Sequence, residues 1–123
     1  MGSPTVTYFA RGNGVLIDGS STPPSAVQAS QCPSIKAVVT LPSSGVPSQA
    51  FITHNWGLDA SAPGYFDPQA EFYQLVDYSF CPSLTFDFAN TNVVTVHKAP
   101  NIMPTTVPVT VLVTLRRGNG PYG

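Results

Sequence analysis

The chain has few charged side chains. Lysine, arginine, aspartate and glutamate make up 9% of its 123 residues, whereas globular domains usually carry about 25%. A free monomer normally covers its surface with such groups, and the centres of protein interfaces are depleted in them. The composition therefore favours a permanently assembled protein. The five basic and six acidic residues, with a net charge of -1, are too few and too balanced for a nucleic-acid-binding stripe.

Long apolar segments are also absent. No run approaches the roughly 20 residues of a membrane helix, and no amphipathic basic helix is available to bind a membrane surface. The N-terminal sequence "MGSPTVTYFARGNG" lacks the apolar stretch of a signal peptide. We therefore expect a protein that is made in the cytoplasm and does not bind membranes.

Cysteine is scarce. Cys32 and Cys81 lie far apart, and each is followed by proline. A zinc site needs closer pairs or histidines at ligand spacing. We expect two free, partly buried thiols, since cytosolic thiols mostly stay reduced.

Helical periodicity is nearly absent, and short runs of β-branched and aromatic residues take its place. Thirteen prolines interrupt the chain, and the runs between them are bounded by Gly, Pro, Ser and Asn, which is typical of an all-β protein. The predicted strands are 5–10, 14–18, 35–41, 49–55, 70–78, 83–88, 92–98 and 107–117. Eight strands in so short a chain predict one antiparallel β-sandwich domain over 1–123, jelly-roll-like in arrangement.

Two turns and one strand carry the clearest local signals. Asn13 and Gly14 separate two strand-like runs, where a tight hairpin needs positive φ. Residues 89–92 predict a second hairpin. The last strand alternates strictly, so Val107, Val109, Val111, Val113 and Leu115 are predicted to face the core. Pro108 predicts the entrance to this strand or a sheet edge.

Two segments lack a strand pattern. Residues 18–34 are rich in Ser, Pro and Ala and predict a long surface loop or an extended arm. Residues 118–123 contain glycines and a proline and predict a flexible C-terminal tail that hangs free or docks on a neighbour.

The stretch "FITHNWGLDASAPGYFDP" (51–68) raises the question of chemistry. His54 with Asp59 or Asp67 could act as a general base, but no serine lies in a nucleophile elbow. We instead predict a strand end in which His54 packs beside Trp56 and donates to a backbone carbonyl. Neither His54 with His97 nor the acidic loop has the ligand spacing of a zinc or calcium site. No cofactor is expected.

Aromatic residues around this loop suggest a second kind of function. Trp56, Tyr65, Phe66 and Tyr73 lie close in sequence, and small β-sandwiches present such rings to sugars. The structural alternative is that Trp56 and Phe66 fasten the loop to the sandwich.

Residues 50–117 resemble small structural proteins of tailed bacteriophages, in particular head decoration (cement) proteins. The resemblance lies in "ITHNWGLD", a following loop of Pro, Gly and aromatics, "EFYQLVD", "NTNVVTV" and the final "VTVLVTLRR". It implies an all-β, non-enzymatic virion protein, often a homotrimer, that binds the major capsid protein on the outer surface of an icosahedral head. The alternative is a tail- or fibre-associated β-sandwich module that binds carbohydrate or a host surface.

This interpretation also selects candidate contact residues. Three belong to the loop segment and two end the last strand: Trp56, Tyr65, Phe66, Arg116 and Arg117. The arginines would pair with capsid carboxylates, and a strand edge could receive capsid backbone by β-augmentation.

Overall fold

The protein is a two-sheet, all-β sandwich. The computed structural model describes residues 4–42, 49–57, 69–75, 84–88, 91–98 and 108–117. The first sheet holds five strands and the second holds three, and every pair of neighbouring strands is antiparallel. The predicted sandwich is confirmed.

The strands follow the sequence prediction closely. In spatial order the five-stranded sheet is β2 (Val15–Ser20), β1 (Thr5–Gly12), β3 (Ser34–Leu41), β8 (Val109–Arg116) and β5 (Gln69–Gln74). The three-stranded sheet is β4 (Gln49–Thr53), β7 (Val93–Lys98) and β6 (Leu84–Asp87). Successive strands from β3 to β6 lie alternately in the five-stranded and the three-stranded sheet. β7 then lies between β4 and β6, and β8 lies between β3 and β5. This is a jelly-roll-like arrangement.

The core lies between the sheets because each strand alternates apolar and polar residues with period two. The fully buried residues of β8 are Val109, Val111, Val113 and Leu115, as predicted, while Val107 lies outside the described residues. Their partners on β3 are Leu41, Val39, Ala37 and Ile35. The second sheet closes the core with Ala50, Ile52, Val94 and Val96.

The predicted turns hold where they can be checked. Gly12 pairs with Val15, so Asn13 and Gly14 form a two-residue connection in which Gly14 has φ of 78°. β6 pairs with β7 in the register of a hairpin, although residues 89–90 of its turn lie outside the described part. Pro108 directly precedes β8, which is an interior strand, so it marks a strand entrance and not an edge.

The prediction of an arm or surface loop at 18–34 is wrong. Residues 18–20 belong to β2, and 26–30 form the helix α1 (Ala26–Ser30). The helix begins with a capping box, in which the Ser25 Oγ accepts from the Gln28 N–H and the Gln28 side chain accepts from the Ser25 N–H. Pro24, Ala29 and Cys32 are fully buried. We call residues 21–33 the α1 segment.

The α1 segment contributes to the core. Cys32 belongs to the core cluster together with Tyr8, Ala10 and Ile35. Its thiol is free, as expected, and burial raises its pKa. Cys81 and the tail 118–123 lie outside the described residues. In the described part, no helix has the length and apolarity to cross a bilayer.

Candidate functional site

Trp56 fastens the α1 segment to the sandwich. Its indole Nε1–H donates to the backbone oxygens of Ala29 at 3.0 Å and Cys32 at 3.1 Å. The ring packs against the core and stacks on His54, with ring centroids 4.9 Å apart and planes inclined by 28°. Because both the indole N–H and one ring face are engaged inside the chain, Trp56 acts first as a structural anchor.

The segment after β4 sets this arrangement. Asn55 and Gly57, which flank Trp56, have φ of 58° and 66°. The Asn55 Nδ2 donates to the Pro24 oxygen at 2.7 Å, and the Gly57 N–H donates to the Asn92 Oδ1 at 2.9 Å. Asn and Gly on either side of Trp56 were the sequence signal for this backbone conformation, because these are the residues that tolerate positive φ.

His54 directly follows β4 and is fully buried. Its Nδ1 accepts from the Trp56 N–H at 3.0 Å, so the prediction that the ring donates to a backbone carbonyl is wrong for this nitrogen. Its Nε2 has no hydrogen-bond partner among the described residues. Burial lowers the pKa of His54 from 6.5 to about 4, so the ring is neutral at physiological pH.

This enclosure bears on the catalytic alternative. A general base must reach the proton that it removes, and the His54 ring has no exposed surface. Asp59 and Asp67 lie outside the described residues. His97 pairs with Gln49 at the start of β4, whereas His54 follows the end of that strand, so the two histidines do not converge. Among the described residues, no group of three His, Cys, Asp or Glu is placed to hold a metal ion.

The burial of His54 predicts a pH dependence of stability. The unfolded chain takes up a proton near pH 6.5, whereas the folded chain does so only near pH 4. The free energy of unfolding should therefore be highest above pH 6.5, and His54 should remove about 2 kcal/mol of it between pH 7 and pH 5. Urea unfolding across this range measures the slope.

The matched control for this prediction is His54→Phe, which keeps a flat ring and cannot be protonated. Its unfolding free energy should change less between pH 7 and pH 5 than that of the native chain. Since other titrating groups are the same in both proteins, identical slopes would show that His54 is not the cause.

Arg116 and Arg117 end β8 in different roles. Arg116 is half exposed on the face of the five-stranded sheet that points away from the core, which we call the outer face, and forms an ion pair with Glu71 on β5. The Arg117 N–H donates to the Pro33 oxygen at 3.0 Å, which holds the end of β8 beside the α1 segment. Sequence reasoning selected both arginines but not Glu71, because it did not set the pairing of β5 with β8.

The outer face has a basic end. Ser34 pairs with Arg116, Lys36 pairs with Phe9, and Arg11 lies one position beyond the Ala10–Ile35 pair, so three cationic side chains surround Ser34. Arg11 and Lys36 form no ion pair within the described ranges. An open depression of about 380 Å³ lies here, lined by outward-pointing groups of β1, β2 and β3: Phe9, Arg11, Leu16, Asp18, Ser34 and Lys36.

An apolar stripe crosses the same face beside the basic end. Val38 pairs with Leu112, and Leu112 pairs with Tyr73, so the three side chains form one row across three strands. Leu75 continues it at the rim. Val38 and Leu112 are half-buried, while Tyr73 and Leu75 are exposed by 57% and 47%. We call Val38, Leu112, Tyr73 and Leu75 the outer stripe.

The remaining candidates are placed as follows. Tyr65 and Phe66 lie outside the described residues. Of the two aromatic candidates in the described part of the chain, Trp56 is half-buried and Tyr73 is exposed. The outer stripe around Tyr73 was not found from the sequence. The sequence signal for the outer stripe was that Val38 and Leu112 are apolar, whereas their outward-facing neighbours on these strands include threonines.

In comparisons with known proteins, no protein-family model, no curated protein and no solved structure matches the chain.

Proposed function

We propose that the chain is a non-enzymatic virion structural protein, a head decoration (cement) protein that binds the major capsid protein on the outer surface of a phage head. It would act there as a homotrimer. The observation that carries the proposal is the outer face, where an apolar stripe that is exposed at Tyr73 and Leu75 lies beside the basic end of a five-stranded sheet.

This combination suits a large interface. Apolar and aromatic groups at the centre of an interface supply desolvation energy, and arginines at its rim pair with carboxylates of the partner. The scarcity of charge in the chain fits the same purpose, since a surface covered by a partner does not need charge for solubility. The partner surface is therefore expected to be apolar with acidic groups on one side.

The sheet architecture supports the proposal because it holds the binding groups in fixed positions. The outer face belongs to five hydrogen-bonded strands, and β3 and β8 beneath the stripe carry the fully buried valines of the core. Binding groups on such a sheet are held in place before contact, which lowers the entropy cost of binding. The Thr40 and Thr110 hydroxyls, 3.0 Å apart, join the two strands on the same face.

The test is binding to heads of the encoding phage. The native protein should sediment with heads that lack it, and Leu112→Lys should reduce bound protein at least tenfold, because a charge enters the centre of the stripe. Val27→Lys is the control, since Val27 is 77% exposed on α1, away from the stripe. Equal binding by the native protein and Leu112→Lys would remove the outer face from the interface.

A carbohydrate-binding, tail- or fibre-associated module is the second candidate, favoured by the exposed ring of Tyr73. Sugar binding would depend on ring stacking, so Tyr73→Phe should preserve it and Tyr73→Ser should abolish it on a glycan array. Binding to glycans without binding to heads would decide for this candidate.

A further inference from the structure

The strand edges of the sandwich are protected to different degrees. An edge strand presents unpaired backbone groups to other chains, and proteins blunt such edges by shortness, bulges, proline, charged side chains or a covering segment. β2 is interrupted by a register shift opposite Tyr8 and Phe9 and by Gly19 at φ of 80°. β6 has four residues, and on β4 the Thr53 N–H donates to the Tyr8 hydroxyl at 2.9 Å.

In the described part of the chain, β5 lacks the irregularities and added hydrogen bonds of the other edges. Its six residues, "QAEFYQ", contain no proline, glycine or lysine, and its ladder with β8 runs without a register shift. Its one charge, on Glu71, is already paired with Arg116. Within the described ranges, no strand pairs with β5 on the side away from β8. Among the strand edges in the described part of the chain, β5 is therefore the one most open to strand addition.

The backbone direction of β5 follows from one hydrogen bond. The Leu75 N–H donates to the Thr110 oxygen at 3.3 Å. Since N–H and C=O groups alternate sides along a strand, the odd-numbered residues bond to β8, and Ala70, Phe72 and Gln74 direct their N–H and C=O groups to the free edge.

These three residues form a self-complementary set. Two copies of β5 can pair antiparallel about a twofold axis that is perpendicular to the sheet, so that the outer faces of both sheets point the same way. If this axis passes through Phe72, Phe72 lies opposite Phe72 of the copy, and Ala70 lies opposite Gln74 of the copy. All three outward-directed residues then bond, giving up to about six hydrogen bonds. An axis through Glu71 would place the two Glu71 carboxylates opposite each other, which is destabilising. An axis through Tyr73 would pair Phe72 with Gln74 but would leave Ala70 without a partner among the three outward-directed residues.

The side chains fit this register on both sheet faces. On the core side, Phe72 is partly buried against Phe86, with ring centroids 5.8 Å apart, and its copy would cover the rest of the ring. On the outer face, Glu71 would lie opposite Tyr73 of the copy and away from the second Glu71. The two outer stripes would become continuous through Tyr73.

We propose that two copies of this chain pair antiparallel through β5, with the twofold axis at Phe72, and so join their five-stranded sheets into one. The contact is isologous, because the same strand serves both partners. It does not rest on capsid binding. Contacts within the proposed trimer are heterologous, so the β5 contact would be separate from them and would link one trimer to the next.

Cross-linking tests the register. In this arrangement residues 71 and 73 of opposite copies form non-hydrogen-bonded pairs with Cα atoms about 4.5 Å apart, within disulfide range. Glu71→Cys/Tyr73→Cys, in a Cys81→Ser background, should therefore oxidise to a closed covalent dimer as the main band on a non-reducing gel. Leu16→Cys in the same background, 68% exposed on β2, is the control for random collision.

Blocking the edge tests the hydrogen bonds. Gln74→Pro removes an outward N–H while leaving the bonds to β8 and the core intact. It should lower the native mass measured by light scattering, from dimer to monomer if the chain forms no trimer and from linked trimers to single trimers if it does. Circular dichroism and thermal unfolding establish that this variant is folded. A ladder of polymers, cross-linking no greater than that of Leu16→Cys, or a native mass unchanged by Gln74→Pro would each overturn the proposal, whether or not the protein binds heads.

Discussion

Replacing Val111 by aspartate is expected to abolish the folded state. Val111 is fully buried at the centre of the sandwich, where it pairs with Val39 on β3 and with Gln74 on β5. An unpaired carboxylate in this place costs several kcal/mol, which is comparable with the 5–15 kcal/mol that stabilises a whole domain. Loss of the near-ultraviolet dichroism and of a cooperative thermal transition would report the effect.

The neighbouring residue supplies the control. Leu112 belongs to the same strand but points to the outer face and is half-buried, so Leu112→Asp should keep the fold with a much smaller loss of stability. The comparison isolates the side of the sheet, because strand, added charge and chain position are nearly the same. A cooperatively folded Val111→Asp chain would contradict the placement of this face in the core.

Replacing Gly12 by alanine should be the second severe change. A Cβ at Gly12 would lie 2.1 Å from the Gln31 oxygen, 2.7 Å from the Gln31 carbonyl carbon and 3.0 Å from the Cys32 Sγ. Two of these atoms are backbone, so the α1 segment itself would have to move. We expect a loss of about 3 kcal/mol in the free energy of unfolding, at the upper end for overpacking, measured by urea denaturation.

Gly14→Ala is the matched control in the same hairpin. A Cβ there meets nothing within 4 Å, and its cost comes only from φ of 78°, which is about 1 kcal/mol for a non-glycine residue. Reactivity of the Cys32 thiol, followed by peptide mapping, adds a second readout: it should rise in Gly12→Ala and stay low in Gly14→Ala. Equal losses in the two variants would show that the α1 segment does not pack on Gly12.

Local patterns determined most of the strands. Alternation with period two fixes which residues of a strand are buried, because successive side chains point to opposite sides; this is why the valines of β8 were assigned to the core without a structure. The Asn13–Gly14 connection was equally readable, since few residues adopt positive φ. The helix α1 had a signal too, the capping box of Ser25 and Gln28, but five helical residues are too few for a helical period to show.

Contacts between distant residues were decided only by the tertiary structure. The indole N–H of Trp56 donates to carbonyl oxygens 24 and 27 residues earlier in the chain. Because these partners are distant in sequence, the sequence suggested Trp56 as a contact residue but did not show that it anchors the α1 segment. The Glu71–Arg116 ion pair and the outer stripe depend in the same way on the pairing of β5 with β8. Sequence patterns are local, whereas strand order and register come from the packing of the whole core; the sequence therefore determined which side chains face inward, and the fold decided which of the outward ones meet.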